Sequence, residues 1–278
     1  MALISATADQ KANTLQPFLK WAGGKRWFVQ KHADIFPKNF RRYVEPFLGG
    51  GSVFFHLQPR KSLLGDVNPD VISVYRGVKE DWKAVVDKLR QHQKLHSDEH
   101  YYMVRAQQPT DAVSQASRML YLNRTCFNGI YRVNLQGEFN VPRGTKNWVL
   151  RDDDQFEEIS KLLTRAEIRL TDFESLIDEA GKEDFIFCDP PYTVRHNFNG
   201  FVKYNEKLFS WSDQERLAAA LLRAKARGAT VLATNANHHS VRDLYESHGF
   251  RLLTTSRYSS ISASAEYRKQ FDELIILS

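Results

Sequence analysis

Phe185-Ile186-Phe187-Cys188-Asp189-Pro190-Pro191-Tyr192 decides how this chain folds. The short apolar run reads as a buried strand. Two consecutive prolines then restrict the backbone and remove two N–H donors. The residue before them is pushed into an extended conformation. The strand therefore ends in a rigid elbow, and open α/β sheets bind their ligands at such C-terminal strand ends. The elbow offers a carboxylate, free carbonyls and an aromatic ring. That set suits a planar base with an exocyclic amine: the amine donates to the carboxylate and a carbonyl, and the ring stacks on the base.

Outward from the elbow, further apolar runs with turn signals predict strands at Tyr43-Val44 and at residues 62–64, 168–170, 230–233 and 273–277. Ser212-Asp213-Gln214-Glu215 reads as a capping box opening an Ala- and Leu-rich helix that stops at Gly228. A second helix is predicted over residues 240–248, with Gly249 as its C-terminal stop. Strands alternating with helices predict an α/β fold with a mainly parallel sheet. The middle differs. Residues 71–123 carry helical patterning, and Val113, Ala116, Met119 and Leu120 share one helix face. Residues 123–142, rich in Asn, Gly, Arg and aromatics, read as a hairpin or loop. The predicted organisation is a loose tail (1–14), a discontinuous catalytic α/β domain (15–72 and 160–278) and an insertion (73–159).

Glu45-Pro46-Phe47-Leu48-Gly49-Gly50-Gly51-Ser52 directly follows a predicted strand. Its three glycines let the backbone turn tightly and lie against a ligand. Leu63-Leu64-Gly65-Asp66 ends the next strand with a carboxylate, 15 residues after Gly51. In nucleotide-binding α/β units an acidic residue there binds ribose hydroxyls. The full G-x-G-x-x-G pattern is absent, so the expected ligand is an adenosine-type cofactor without a pyrophosphate. A helix cap or turn carboxylate is the structural alternative for Asp66.

Composition bounds the rest. With 42% hydrophobic and 26% charged residues, the chain is not intrinsically disordered. Two cysteines, Cys126 and Cys188, exclude a disulfide scaffold. No apolar run approaches the ~20 residues of a membrane span, and residues 1–14 lack the basic start and apolar core of a secretory signal. A reducing, cytoplasmic setting without membrane partners is expected. Lys and Arg number 39 against 33 Asp and Glu, a net charge of +6 that is compatible with a nucleic-acid partner. Cys188 reads as a buried strand residue rather than a nucleophile. His238-His239 lacks the partner spacing of a metal site, and none is expected.

The elbow and the glycine loop together resemble the amino-methyltransferases of nucleic-acid bases, with the glycine loop first, the insertion second and the proline motif last. Phe18-Leu19-Lys20-Trp21-Ala22-Gly23-Gly24-Lys25 narrows this to the Dam-type DNA adenine-N6 methyltransferases. The insertion agrees: Tyr121-Leu122-Asn123-Arg124 and the segment from Phe127-Asn128-Gly129-Ile130 to Asn140-Val141-Pro142 are similar to that family's DNA-binding hairpin. The resemblance runs from about Pro17 to Leu277 and implies a Rossmann-like methyltransferase sheet with an inserted, mainly helical plus β-hairpin recognition domain.

The resemblance also implies S-adenosylmethionine as cofactor. Trp21, Lys25, Glu45, Phe47, Gly49, Gly51, Asp66, Phe173 and Asp189 fall at its binding positions. Gly49 and Gly51 would border the methionine part, Asp66 would hold the ribose, and Phe173 would lie against the adenine. Asp172 ranks below these because it also reads as a helix N-cap. Asp189, Pro190, Pro191 and Tyr192 would form the catalytic elbow for an adenine flipped out of double-stranded DNA. For DNA recognition the implied set is Lys20, Asn123, Arg124, Phe127, Asn128, Ile130, Arg132 and Pro142. Phe127 would fill the gap left by the flipped base, Lys20 would read a guanine, and Ile130, Arg132 and Pro142 would read other bases, favouring GATC. Thr125-Cys126 and the spacing of Arg143-Gly144-Thr145-Lys146 depart from the family pattern, so the resemblance implies no phosphate contacts there. Tyr258, Arg268 and Lys269 read either as DNA-backbone contacts or as a solvated edge. No obligate protein partner is expected. The same chemistry on RNA, and a non-enzymatic binding protein on this scaffold, are the alternatives.

Overall fold

The computed structural model describes residues 15–193, 209–258 and 270–278. Residues 1–14, Arg268 and Lys269 lie outside the described residues. Seven strands form one sheet: β1 (Arg42–Glu45), β2 (Ser62–Asp66), β3 (Ala166–Leu170), β4 (Asp184–Cys188), β5 (Thr230–Ala236), β6 (Arg251–Tyr258) and β7 (Gln270–Leu277). Their spatial order is β3-β2-β1-β4-β5-β7-β6. The first five are parallel, with Val44 opposite both Leu63 and Ile186, and Cys188 opposite Ala233. β7 runs antiparallel to β5 and β6. The order 3-2-1-4-5 is that of a doubly wound nucleotide-binding sheet, whose strand order reverses beside β1.

The strands form where the apolar runs predict them. β4 is buried along its whole length, with Phe185, Ile186, Phe187 and Cys188 inside. Burying each such large side chain stabilises the fold by about 1.5–3 kcal/mol. The charge that opens β4, Asp184, is fully buried but paired with Arg41 and Arg42 at 3.0 and 2.9 Å. β6 is absent from the sequence-based strands. Arg251–Tyr258 is an edge strand with little apolar content, so no hydrophobic run announces it.

The chain separates into two compact units. The sheet unit comprises Lys31–Leu48, Pro59–Ile72 and Arg165–Ser278. The helical unit comprises the described part of Met1–Gln30 together with Gly49–Gln58 and Ser73–Thr164. This differs from the split drawn from sequence, because residues 15–30 and 49–58 cluster with the middle of the chain.

Helices of the helical unit are α1 (Arg26–Lys31), α2 (Ser52–Leu57), α3 (Pro69–Leu95, which starts in the sheet unit), α4 (Asp98–Ala106), α5 (Ala112–Thr125) and α6 (Phe156–Leu163). α3 is kinked at Asp81, whose carboxylate accepts from the Ala84 N–H and restarts the helix. Phe18 anchors this unit's core against Phe55, Tyr75 and Phe156 at ring distances of 5.8, 5.1 and 6.0 Å. In the sheet unit, the described helices are α7 (Phe173–Asp178), α8 (Trp211–Ala226) and α9 (His239–Ser247). The capping box of α8 is Ser210 with Asp213, two residues before the predicted Ser212. Leu217 and Leu221 of α8 and Val241 and Tyr245 of α9 join Val44, Ile186, Val231 and Leu274 in one core.

Candidate active site and nucleic-acid interface

In the sheet unit, Glu45 and Asp189 stand at the C-terminal ends of β1 and β4, the two strands that flank the reversal of strand order. Asp66 ends β2, the next strand along. The parallel register thus gathers three carboxylates at one rim of the sheet, although they lie far apart in sequence. Glu45 is buried, and burial pushes its carboxyl well above the usual range. The Tyr43 hydroxyl partly offsets this, while the charges of Asp189 and Asp66 push it further. Its protonated form is favoured by both causes.

The elbow is braced from β5 and β7. Asp189 Oδ1 accepts a 2.7 Å hydrogen bond from the Thr234 hydroxyl. The Tyr192 hydroxyl donates to Glu273 Oε2 at 2.7 Å, and Glu273 is itself buried. Burial, then the charges of Asp189 and Glu273, hold the Tyr192 phenol well above its ordinary range, so it remains a donor. Pro190 is buried, and the Thr193 hydroxyl closes the segment on the Phe209 carbonyl at 2.6 Å. Beneath it, Asn235 donates to Gln214 at 3.0 Å. Sequence reading missed Thr234 and Glu273. The only signal was a hydroxyl and a charge at the ends of strands otherwise filled with apolar residues.

Asp66 Oδ1 accepts from the Asn68 N–H at 2.9 Å, a turn that fixes the carboxylate at the strand end. Phe47 and Phe173 stack at 5.4 Å, and Phe209 meets both rings. The Phe173 ring is buried, with the Arg216 guanidinium 4.4 Å from its centroid and paired to Asp172 at 2.6 Å. Asp172 caps α7 through the Glu174 N–H, as its alternative reading had it. Cys188 is fully buried, and burial first, then Glu45 and Asp189, push its thiol up, which suits a packing residue.

In the helical unit, Trp21 lies against the glycine loop. Gly49 has φ +45°, and a Cβ there would sit 2.6 Å from the indole. Gly51, at φ +63°, is the left-handed residue before α2. The Tyr75 hydroxyl donates to the Gly49 carbonyl at 3.2 Å. Trp21 also packs on Tyr131, with ring centroids 4.9 Å apart. Lys25 is buried, with its ammonium 3.3 Å from the Gly23 carbonyl.

The recognition residues divide into two groups. Lys20, Phe127, Asn128, Ile130, Arg132 and Pro142 are exposed. Phe127 and Ile130, 53% and 46% exposed, flank the Asn128-Gly129 turn, where both residues have positive φ. Arg132 is held by Asn140 Oδ1 at 2.7 Å. The hairpin consists of two isolated bridges, Cys126 with Arg143 and Val133 with Phe139, and Leu135 stands exposed near its tip. Asn123 and Arg124 correct the sequence-based expectation of DNA contact, because both are buried. Arg124 makes a two-pronged pair with Asp154 at 2.6 and 2.8 Å, and also donates to the Val149 carbonyl. Asn123 bonds both main-chain groups of Lys20.

Comparison with known proteins agrees with this geometry. The family model for D12 class N6 adenine-specific DNA methyltransferases matches residues 21–261. The chain is 32% identical to Type II methyltransferase M1.LlaDCHI of Lactococcus lactis subsp. cremoris, covering 94% of this chain and 95% of that one. It is 34% identical to Type II methyltransferase M.MjaIII of Methanocaldococcus jannaschii, covering 95% and 99%. It is also 34% identical to a DNA adenine methylase of Vibrio cholerae, covering 94% and 95%. A strand-end elbow, a glycine loop and a matching family model over most of its length make this chain a member of the D12 class N6 adenine-specific DNA methyltransferases.

Proposed function

We propose that this enzyme methylates N6 of an adenine flipped out of double-stranded DNA, within GATC, in the cytoplasm. S-adenosylmethionine is the cofactor of the family. The donor set fits it. In the sheet unit, the Asp66 carboxylate suits a ribose diol, and the Phe47 and Phe173 side chains supply an apolar, aromatic wall for an adenine. In the helical unit, left-handed Gly49 and Gly51 let the loop turn tightly beneath the Trp21 indole, and Lys25 carries the charge that a methionine carboxylate needs. When bound, the cofactor supplies an electrophilic methyl group on a sulfonium.

The observation that carries the reading is the braced elbow. The adenine amine is conjugated with its ring and is a poor nucleophile. Asp189 and the Pro190 carbonyl accept its hydrogens, which localises the lone pair and aims it. The Thr234 hydroxyl holds Asp189, and Glu273 holds Tyr192 so that its ring can stack on the base. Catalysis comes from positioning and preorganised electrostatics, without a covalent enzyme intermediate. Flipping costs a few kcal/mol of stacking and pairing, which Phe127 offsets by filling the gap. Lys20, Ile130, Arg132 and Pro142 read the remaining bases. Arginine to guanine and an apolar side chain to a thymine methyl are the matching major-groove contacts.

Tritium transfer from labelled S-adenosylmethionine tests this on two duplexes, one carrying GATC and one with its central A·T pair changed. Label found as N6-methyladenine on the first duplex alone is expected. Equal label on both would overturn the assigned recognition residues, and label on RNA in preference to DNA would overturn the substrate.

A further inference from the structure

We propose that Asn123 is a positioning residue for sequence reading: it fixes the main chain of Lys20 and thereby locks that lysine to the turn carrying Phe127 and Ile130. The proposal rests on Lys20 reading a guanine, as above. Asn123 sits in the last turn of α5 and is 1% exposed, so it acts through a neighbour. The Lys20 N–H donates to Asn123 Oδ1 at 2.9 Å, and Asn123 Nδ2 donates to the Lys20 carbonyl at 2.8 Å. One amide thus satisfies both main-chain groups of a residue 103 positions away. Only one orientation of the amide meets a donor with its oxygen and an acceptor with its nitrogen.

The far end of Lys20 is held too. Its ammonium donates to the Asn128 carbonyl. Its stem runs over Gly129, where an added Cβ would sit 2.7 Å from Lys20 Cδ and 3.1 Å from the Asn123 carbonyl oxygen. Gly129 has φ +62° and Asn128 φ +55°, so the turn is built to let the lysine pass. A lysine is a flexible point charge with about 2 kcal/mol of side-chain entropy. Pinned at both ends, it reads one position; freed at its main chain, it reaches several acceptors with similar ease. Phe127 and Ile130 lie on either side of the same turn, so the place of the lysine and the place of the gap-filling ring are set together.

The test is kcat/KM on the cognate duplex and on duplexes changed at single positions, one of them the guanine assigned to Lys20. Asn123→Ala and Lys20→Ala are each expected to lower discrimination at that guanine about 10-fold, with other positions unchanged. The double variant should be no worse than Lys20→Ala alone, because the two act in series. Asn123→Asp keeps the acceptor for the Lys20 N–H but faces the Lys20 carbonyl with an oxygen, and should show the same selective loss. Cofactor binding and Tm identify variants that fold. Folded Asn123 variants that lose activity equally on every duplex, or whose loss adds to that of Lys20→Ala, would overturn the proposal. If Lys20→Ala leaves discrimination at the guanine intact, the reading of Lys20 itself fails and takes this proposal with it.

Discussion

Tyr192 and Glu273 illustrate how a single side chain is fixed for its task. The phenol keeps its proton and donates a hydrogen bond to a buried carboxylate, which leaves the ring in one place. Tyr192→Phe keeps the ring but leaves Glu273 without that donor. A loss of about 1.5–3 kcal/mol of stability is expected, the worth of one hydrogen bond to a carboxylate. Methyl transfer should fall far less than in Asp189 variants. Denaturation midpoints and turnover numbers check both, and complete inactivity of folded Tyr192→Phe would give the hydroxyl a chemical role. Arg124 carries a second residue-scale prediction. Its pair with Asp154 has side chains only 5% and 6% exposed. Arg124→Ala should destabilise by about 1.5–3 kcal/mol, because it removes the two-pronged charged hydrogen bond while the buried Asp154 keeps the Arg151 N–H at 2.9 Å and the Arg151 guanidinium at 3.5 Å. Arg124→Lys should rescue only in part, since lysine lacks the two-pronged fork. Urea melts measure both variants. Neither the internal role of Arg124 nor that of Asn123 could be read from the motif that contains them. Where a side chain goes on a helix end is decided by what packs there, and their partners, Asp154 and Lys20, lie 30 and 103 positions away.

Elements were legible wherever burial leaves a continuous apolar trace. β4 and the elbow after it could be placed from sequence because both strand faces are covered and proline forbids continuation. β6 was not legible, since an edge strand needs no apolar run. The α8 cap shifts from Ser212 to Ser210 because Glu215, the residue that would close a box on Ser212, accepts from the Trp211 indole at 2.7 Å, while Asp213 returns to the Ser210 N–H. A cluster on α3, α4 and α5 left no signal. His92 stacks on Tyr121 at 4.7 Å and lies 3.0 Å from a ring nitrogen of His100, while His96 bonds the Tyr121 hydroxyl at 2.7 Å. Burial first, then the charges of His100 and Lys88, lowers His92 from 6.5 to about 4. The folded state therefore holds His92 neutral where the unfolded chain would protonate it. Stability from this group is complete above pH 6.5 and is lost as pH falls toward about 4. With partial exposure, the expected loss is about 2 kcal/mol. His92→Phe, which keeps the stack on Tyr121, should flatten the dependence of Tm on pH over that window. An unchanged acid-side slope would show that another group is responsible.

For the molecule as a whole, the net charge of +6 carries its own prediction. DNA affinity should fall linearly on a logarithmic salt scale, by about 10-fold or more between ~50 and ~200 mM. Filter binding or anisotropy would show it, and a salt-independent affinity would mean that phosphates contribute little. Among the described residues no helix is long and apolar enough to cross a membrane. The mainly parallel sheet followed from local pattern, whereas its strand order, which depends on pairing between distant segments, did not. The two compact units place residues 15–30 and 49–58 with the middle of the chain, and segments so short carry no local pattern that names their partners. The central claim is that the elbow at the end of β4 performs the chemistry by accepting the hydrogens of the target amine. Single-turnover methylation of a GATC duplex by Asp189→Ala tests it most directly, with DNA affinity measured on the same protein. A fall in the methylation rate of about 100- to 1,000-fold or more, with DNA binding retained, is the predicted result. A folded, DNA-binding Asp189→Ala enzyme that methylates at the wild-type rate would contradict it.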